Sequence, residues 1–405
     1  MKYQLALLLL VLLEANGVSL TLDGAQHGRV FDGIGALSAG ATSRFLPNYP
    51  EPQRSQLLDL LFARSGGAAL HWLKFEIGGD TQSTCGTEPS PMREGLDGPV
   101  NIDRGYETWL MQEAVKRNPE IVLYALPWGF PTWVGHGACE RAAYVGPLLN
   151  GGCPNDVVAA DSLSSERMAK YHAAFVNATA HASPPLNISW IGLWNEDSWT
   201  PTNTEALRDA LDSSSTTKHT HIAAADSGAG GVEIVLQALA NQSDPKFRTS
   251  IDAISVHYPK AISSKALRAA PMPIWASEEW SMNGNEAGAG CLARTLNWNY
   301  VEGLYTSTIM WSLITAFAKY APFYGSGIMA AGEPWSGHFN QTAPVFVIAH
   351  YTQFATPGWT YLAHGNGTGW LPGGGSYSTL VSGDGKDFTV ILETMTREHS
   401  PCRFM

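Results

Sequence analysis

Short apolar runs alternate with amphipathic stretches along most of this chain. Phe31-Asp-Gly-Ile-Gly-Ala-Leu-Ser-Ala-Gly-Ala reads as a buried strand followed by a Gly-rich turn. Further strands are predicted over Ala69–Asp80, Ile121–Trp128, Ile188–Glu196, His221–Asp226, Ile251–His257, Pro273–Glu278 and Thr306–Leu313. Glu51–Ala63, residues 105–117 and Ser164–His181 carry apolar positions at helical spacing. Apolar runs of this length alternating with helices mean βα units and a parallel sheet. A count of eight closes that sheet into an α/β fold, a (β/α)8 TIM barrel.

The rhythm changes near residue 340. The helical pattern fades, and Gly-punctuated β-like runs follow, such as Ser376-Tyr-Ser-Thr-Leu-Val and Asp387-Phe-Thr-Val-Ile-Leu-Glu. They predict an appended, incomplete β-sandwich domain over residues 339–405, completed by an N-terminal strand within 19–31, with the catalytic barrel spanning 32–338. A sandwich cut this short leaves exposed edges, so a partial sequence is expected.

Met1-Lys2, an apolar run from Leu5 to Leu13 and small residues after it predict a signal peptide over residues 1–18. The run is too short to span a bilayer, so a lumenal or secreted protein without a transmembrane segment is expected. Five Asn-X-Ser/Thr acceptors agree, at Asn177, Asn187, Asn241, Asn340 and Asn366. The 405 residues are 44% hydrophobic, which allows a large core. A formal net charge of -11 argues against a nucleic-acid partner, whose phosphates demand a basic face. The five cysteines are Cys85, Cys139, Cys153, Cys291 and Cys402; an odd number leaves at least one outside any intrachain pair. Cys139 and Cys153 are close enough in sequence to close a loop. No CxxC or Cys/His cluster suggests zinc, and no metal or cofactor is expected.

The chemistry concentrates at two strand ends. Asn195–Glu196 ends the fourth strand and Glu278–Glu279 ends the seventh. Barrel strands deliver polar groups to the C-terminal mouth, and strands 4 and 7 face one another across it. A carboxylic acid and a carboxylate about 5–5.5 Å apart are what a retaining glycosidase needs. Glu196 is read as proton donor and acceptor, Glu278 as nucleophile. Side-chain alternation selects Glu278 over Glu279: Ile274, Ala276 and Glu278 share the face suited to the interior, and Trp275, Ser277 and Glu279 the helix-facing side. Asn195 is placed to donate to a sugar 2-hydroxyl, and His257 and Tyr258 to orient Glu278. Trp128 and Trp311 end strands 3 and 8, where rings stack on a sugar face.

With these residues in view, the chain resembles the galactosylceramidase family of retaining glycoside hydrolases. The matching stretches include Gly33-Ile-Gly-Ala, Ala41-Thr-Ser-Arg, Asn48-Tyr-Pro-Glu-Pro, Glu76-Ile-Gly-Gly-Asp, Gly86-Thr-Glu-Pro-Ser, Leu126-Pro-Trp, Trp194-Asn-Glu, His257-Tyr-Pro, Gly288-Ala-Gly-Cys, Glu333-Pro-Trp-Ser-Gly-His and Glu393-Thr-Met, in one order from about residue 30 to 402. The resemblance implies a lysosomal β-galactosidase acting on galactosyl lipids such as galactosylceramide, with Glu196 as proton donor and Glu278 as nucleophile. It implies galactose contacts from Thr84, Trp128 and Asn195, with Ser281 and Trp311 nearby. It further implies a Cys291–Cys402 disulfide and a small saposin-like activator that presents lipid. Three departures stand out. Cys85 replaces the family's aspartate beside Thr84. Arg403 is the candidate for the family's galactose-binding arginine, one place early. The family's C-terminal lectin-like domain is absent. Two other readings stay open: a retaining barrel glycosidase for a different β-glycoside, and a galactose-binding protein that has lost turnover.

Overall fold

The computed structural model describes residues 11–13, 18–20, 22–135, 164–197, 200–241, 244–281, 284–321, 323–395 and 402. Most of the expected signal peptide lies outside these residues; Val11–Leu13 and Val18–Leu20 form a short antiparallel pair. Cys139, Cys153 and Arg403 lie outside them as well.

Eight parallel strands close into a barrel. They run over Gly33–Ser38, Trp72–Ile77, Val122–Pro127, Ile188–Ile191, His221–Ser227, Ala253–His257, Ile274–Trp280 and Ser307–Trp311, and the eighth pairs with the first. Each is buried along most of its length because helices cover its outer side, which is why the strands read as continuous apolar runs rather than alternating ones. Helices Gln53–Phe62, Glu107–Arg117 and Ser165–Ala180 take the predicted positions.

Two apolar layers divide the barrel. Ile34, Ala36, Leu73, Phe75, Ile274 and Ala276 face the helices. Inside, Trp72, Tyr124, Trp190 and Trp275 pack together, with Trp275 centred 5.0 Å from Trp72 and 4.4 Å from Trp190. The Trp275 indole donates to Asp32 Oδ2 at 2.8 Å, so the buried N–H is satisfied. Trp275 therefore lies inside the barrel, not on the helix side as its bulk suggested. The floor of the mouth is a plug of indole rings.

The fourth strand ends at Ile191, five residues before Glu196, and the chain then turns toward the mouth. A second difference lies at Ala343–Thr352, a helix where the pattern predicts none. Its sequence, Ala-Pro-Val-Phe-Val-Ile-Ala-His-Tyr-Thr, is rich in β-branched and aromatic residues. It packs on helix Glu286–Val301 and on the first barrel strand, so much of it is buried and no clean polar face shows.

Thr81–Gln82 with Thr87–Glu88 and Ala330–Glu333 with His338–Asn340 form two small pairs, and five other strands form one antiparallel sheet. Ser376–Val381 is its centre, with Phe388–Glu393 along one edge and Thr360–Leu362 and Gly369–Trp370 along the other. His27–Val30 completes the sheet by pairing with Thr360–Leu362. The layer facing this sheet is helix Glu286–Val301. The Tyr300 and Tyr361 rings stack at 3.4 Å across that junction. Cys291 on the helix is joined to Cys402, across a sequence separation of 111.

Candidate active site

Glu196 lies beyond the fourth strand, Asp226 next to last in the fifth and Tyr258 just after the sixth, all in left-handed backbone, with φ of 52°, 48° and 46°. Side chains other than Gly or Asn adopt that region at a cost, and such costs gather at functional sites. All three turn their side chains into one cluster at the barrel mouth.

His257 is the hub. Its Nδ1 stands 3.0 Å from Glu196 Oε1 and 3.6 Å from Glu278 Oε2. Its Nε2 faces Lys74 Nζ at 3.4 Å and Asp226 Oδ1 at 3.5 Å. One ligand atom from each of Glu196, His257 and Glu278 lies within 4.8 Å of the other two. Tyr258 donates its hydroxyl to Glu278 Oε1. Glu196 keeps 36% of its side chain open to solvent, whereas Glu278 keeps 5%. The cluster is thus reached from outside at Glu196 and closed beneath at Glu278.

Beneath it lies a fully buried ion pair, Lys74 Nζ to Asp226 Oδ1 at 2.9 Å. Lys74 also donates to the Ser277 carbonyl at 3.1 Å, and Asp226 accepts from Ser277 Oγ at 3.1 Å and from the Tyr124 hydroxyl. Every charge is hydrogen-bonded, as burial demands. Gly192 makes room for Asp226, since a Cβ there would sit 2.2 Å from Asp226 Oδ2. Lys74 and Asp226 were not singled out from the sequence. The signal was there: a lysine inside the apolar run Trp72-Leu-Lys-Phe is unlike any solvated lysine.

These contacts set the charges. Burial disfavours an imidazolium at His257, but Glu278, Asp226 and Glu196 outweigh it, so His257 holds its proton above the usual histidine range. Burial raises the Glu278 carboxyl above its ordinary range, against the opposing pull of His257, Lys74 and the Tyr258 hydroxyl. Burial also pushes Glu196 upward, yet the His257 hydrogen bond and the His257 and Lys74 charges win and hold it below. Asp226 likewise resists burial through Lys74, His257 and Tyr124, and sits far below the usual carboxylate range. Glu196, His257 and Glu278 also have the mutual spacing of a metal-ligand set. Lys74, already facing the imidazole, is a fixed cation that disfavours a second one there.

Glu278 reaches the mouth, but not by the alternation that selected it. Trp275 and Ser277 both point inward, so strict alternation would send Glu279 inward next. The pairing with the eighth strand slips between Ala276 and Glu279, and that with the sixth between Val256 and His257. Such a bulge re-aims side chains. It brings Glu278 into the mouth beside His257 and leaves Glu279 against Lys260, Arg294 and Cys291.

The other expected site residues have the following surroundings. Trp128 is buried, with its ring 5.7 Å from Lys74 Nζ. Asn195 is buried, with its Oδ1 unpartnered. Trp311 packs edge-on to Trp280, which tilts over Tyr258, forming a row of rings at the rim. Ser281 donates its hydroxyl to the Ser326 carbonyl and its backbone N–H to the Trp311 carbonyl, so it supports that rim. Thr84 is half-buried on the loop after the second strand, packed against Gly40. Cys85 follows it, half-buried, with its thiol pushed up to about 11 by burial. The Cys291–Cys402 bond is present, with Cα atoms 5.5 Å apart. Asn177, Asn187, Asn241 and Asn340 are exposed, and Asn366 is half-buried.

The chain was compared with known proteins. Residues 31–353 match Glycosyl hydrolase family 59, and residues 361–404 match the Glycosyl hydrolase family 59 central domain. It is 46% identical to galactocerebrosidase of Danio rerio over 382 residues, covering 94% of this chain and 53% of that protein. It is 42% identical to galactocerebrosidase of Homo sapiens over 397 residues, covering 98% and 53%. The chain thus spans about half the length of the curated relatives it matches. In three dimensions it is similar to SrfJ from Salmonella typhimurium, with a TM-score of 0.67 at 15% identity, covering 89% of this chain and 82% of that one. It is also similar to the catalytic domain of the GH30 xylanase C from Talaromyces cellulolyticus, with a TM-score of 0.66 at 16% identity, covering 89% and 83%. These two likenesses bear on the fold. The family match spans most of the chain, including the barrel and its mouth, and the chain belongs to glycosyl hydrolase family 59.

Proposed function

We propose that this chain is a retaining β-galactosidase that cleaves galactosyl lipids such as galactosylceramide into galactose and the free lipid. The observation that carries the reading is the separation of the two carboxylates, with ligand oxygens of Glu196 and Glu278 within 4.8 Å. Retaining enzymes hold their carboxyl groups about 5–5.5 Å apart, while inverting ones leave about 6.5–9.5 Å for a water between.

In the first step Glu278 attacks the anomeric carbon, the bond to the lipid oxygen breaks, and Glu196 gives its proton to that oxygen. In the second, Glu196 takes a proton from water, the water attacks the same carbon, and the bond to Glu278 breaks. Configuration is retained overall. Without a sugar, the proton order at the site is the reverse of what the first step needs: Glu278 is held high and Glu196 low. A sugar corrects this. Seated over the open side of Glu196, it removes water, which raises a carboxyl. Tyr258 keeps donating to Glu278 and favours its anion. His257, touching both, is the route for the proton between them.

Galactose as the glycone is supported by the galactocerebrosidase relatives; the lysosomal or secreted location, the contacts from Thr84, Trp128, Asn195, Ser281, Trp311 and Arg403, and a saposin-like protein to present the lipid are proposed with it, from the family resemblance. A panel of nitrophenyl glycosides tests the reading, with product stereochemistry followed by NMR. Preference for the β-galactoside with a β-anomer released first supports it. Preference for another sugar, or an α-anomer first, overturns it.

A further inference from the structure

Three buried carboxyls sit behind the Thr84 loop. Glu76 lies on the second barrel strand, Glu88 on the loop that follows, and Glu107 at the start of helix Glu107–Arg117. They are 1%, 4% and 2% exposed. Among the described residues no ion pair reaches any of them. Glu88 accepts from the backbone N–H groups of Glu107 and Tyr106, and Glu107 accepts from Ser38 Oγ at 2.6 Å, itself bonded to Ser43. Glu76 Oε1 and Glu107 Oε2 are buried and unpartnered, and so is the Tyr106 hydroxyl. Three desolvated anions in mutual reach would each cost several kcal/mol, so such groups keep their protons instead.

Glu76 is also a tether. Its Oε2 accepts from the Gly40 N–H at 2.7 Å and from Ser83 Oγ at 3.0 Å. Cys85 N–H donates to the Gly40 carbonyl at 2.8 Å. Thr84, held between Ser83 and Cys85, packs on Gly40 so closely that a Cβ there would lie 2.4 Å from Thr84 Cβ. The position of Thr84 is therefore set from behind, by Glu76.

We propose that Glu76, Glu88 and Glu107 are positioning residues for the Thr84 loop, a protonated carboxyl cluster that docks the loop at the barrel mouth in acid and releases it on ionising. The inference rests on the reading above only in taking Thr84 to border the sugar. Burial pushes Glu76 up to about 7, and burial with the Glu76 and Asp80 charges pushes Glu88 up to about 8; burial with the Glu88 and Glu76 charges raises Glu107 well above its ordinary range. The other groups facing the cluster do not neutralise it. Tyr106 and Tyr171 are neutral phenols held up by burial, and Arg44 lies beside Tyr106 and Gly86 without an ion pair to any of the three carboxyls among the described residues. Arg104 is engaged by Asp80, at 3.1 Å. Carboxyls raised in the folded state stabilise it fully below their unfolded range, about pH 4, and that contribution is lost as pH rises through the folded values. Docking is tightest in acid and fails in mild base.

The test is hydrogen exchange of residues 78–90 in the full chain, corrected for intrinsic rate. Wild type should open about tenfold or more faster at about pH 8 than at about pH 5. Glu88→Gln, whose amide stands in for the protonated acid, should open less than wild type at about pH 8, because one of the three charges can no longer form; Glu76→Gln serves if that variant does not fold. In parallel, KM for a nitrophenyl galactoside should rise about tenfold over the same span in wild type and rise less in Glu88→Gln. Wild-type exchange that is equal at the two pH values overturns the proposal, as does a Glu88→Gln variant that opens like wild type. If exchange behaves as expected but no galactoside is cleaved, the cluster stands and the sugar reading falls.

Discussion

His257 Nδ1 lies 3.0 Å from Glu196 Oε1 and 3.6 Å from Glu278 Oε2, so one ring faces both carboxylates to which the proposed reaction assigns opposite roles. Removing it leaves Glu196 without its fixed partner and Glu278 held by Tyr258 alone. His257→Phe should lower kcat/KM by about a hundredfold, the usual loss when reacting groups drift by about 1 Å. The pH profile should move with it, because the imidazolium that holds Glu196 low is gone and Glu196 must then ionise at higher pH. Steady-state kinetics across pH checks both. An unchanged acid limb would remove His257 from the proton path.

The Lys74–Asp226 pair is fully buried, and breaking one side strands the other charge. Lys74→Met should cost about 3–5 kcal/mol in urea unfolding. Adding Asp226→Asn should recover part of that loss, because no charge is then stranded. Asp226, held far below the ordinary carboxylate range, contributes stability that is present above about pH 4 and lost as pH falls below it. The Lys74→Met variant should lose this acid-sensitive component. Unfolding midpoints of the single and double variants decide the matter.

How much of this was legible beforehand differs from layer to layer. All eight barrel strands show as apolar runs because each is covered on its outer side, and their spacing by helices reveals the closed barrel. Helix Ala343–Thr352 hid because its buried sides remove the polar stripe that marks a helix. Trp275 misled for a related reason. Bulk suggested the helix side, but this barrel is plugged by indoles. The bulge at Ala276–Glu279 was invisible, since a slip in pairing leaves no mark in one strand's composition. Glu196 and Glu278 stood out because carboxylates ending apolar strands are conspicuous. Lys74, Asp226 and the Glu76–Glu88–Glu107 cluster did not, because what makes them unusual is burial beside one another.

The indole plug carries stability of its own. Trp275 is 1% exposed, packs on Trp72 and Trp190, and satisfies Asp32. Trp275→Ala should cost about 3–5 kcal/mol, the range for emptying a large aromatic site. The Asp32 carboxyl, already raised by burial, loses one of its two hydrogen-bond donors from side chains and should rise further. Denaturant titration measures the first effect, and its pH dependence the second.

The Cys291–Cys402 bond links helix Glu286–Val301 to the end of the chain across 111 residues. Loops of that size give an entropic stabilisation of roughly 3–5 kcal/mol. Replacing both cysteines by serine should lower the thermal midpoint by several degrees. The same midpoint in wild type and variant would mean that the noncovalent junction, with Tyr300 stacked on Tyr361 and Asn297 and Trp298 bonded to the sheet, holds the helix without the disulfide.

The most direct test of a galactosyl bond forming on Glu278 is a mechanism-based trap. The protein is incubated with a 2-deoxy-2-fluoro-β-galactosyl fluoride, and the intact mass and the labelled peptide are then read by mass spectrometry. One deoxyfluorogalactosyl group per chain, mapped to Glu278, is the predicted result. A label on Glu279 or elsewhere, or steady turnover of galactosides with no label at all, contradicts it.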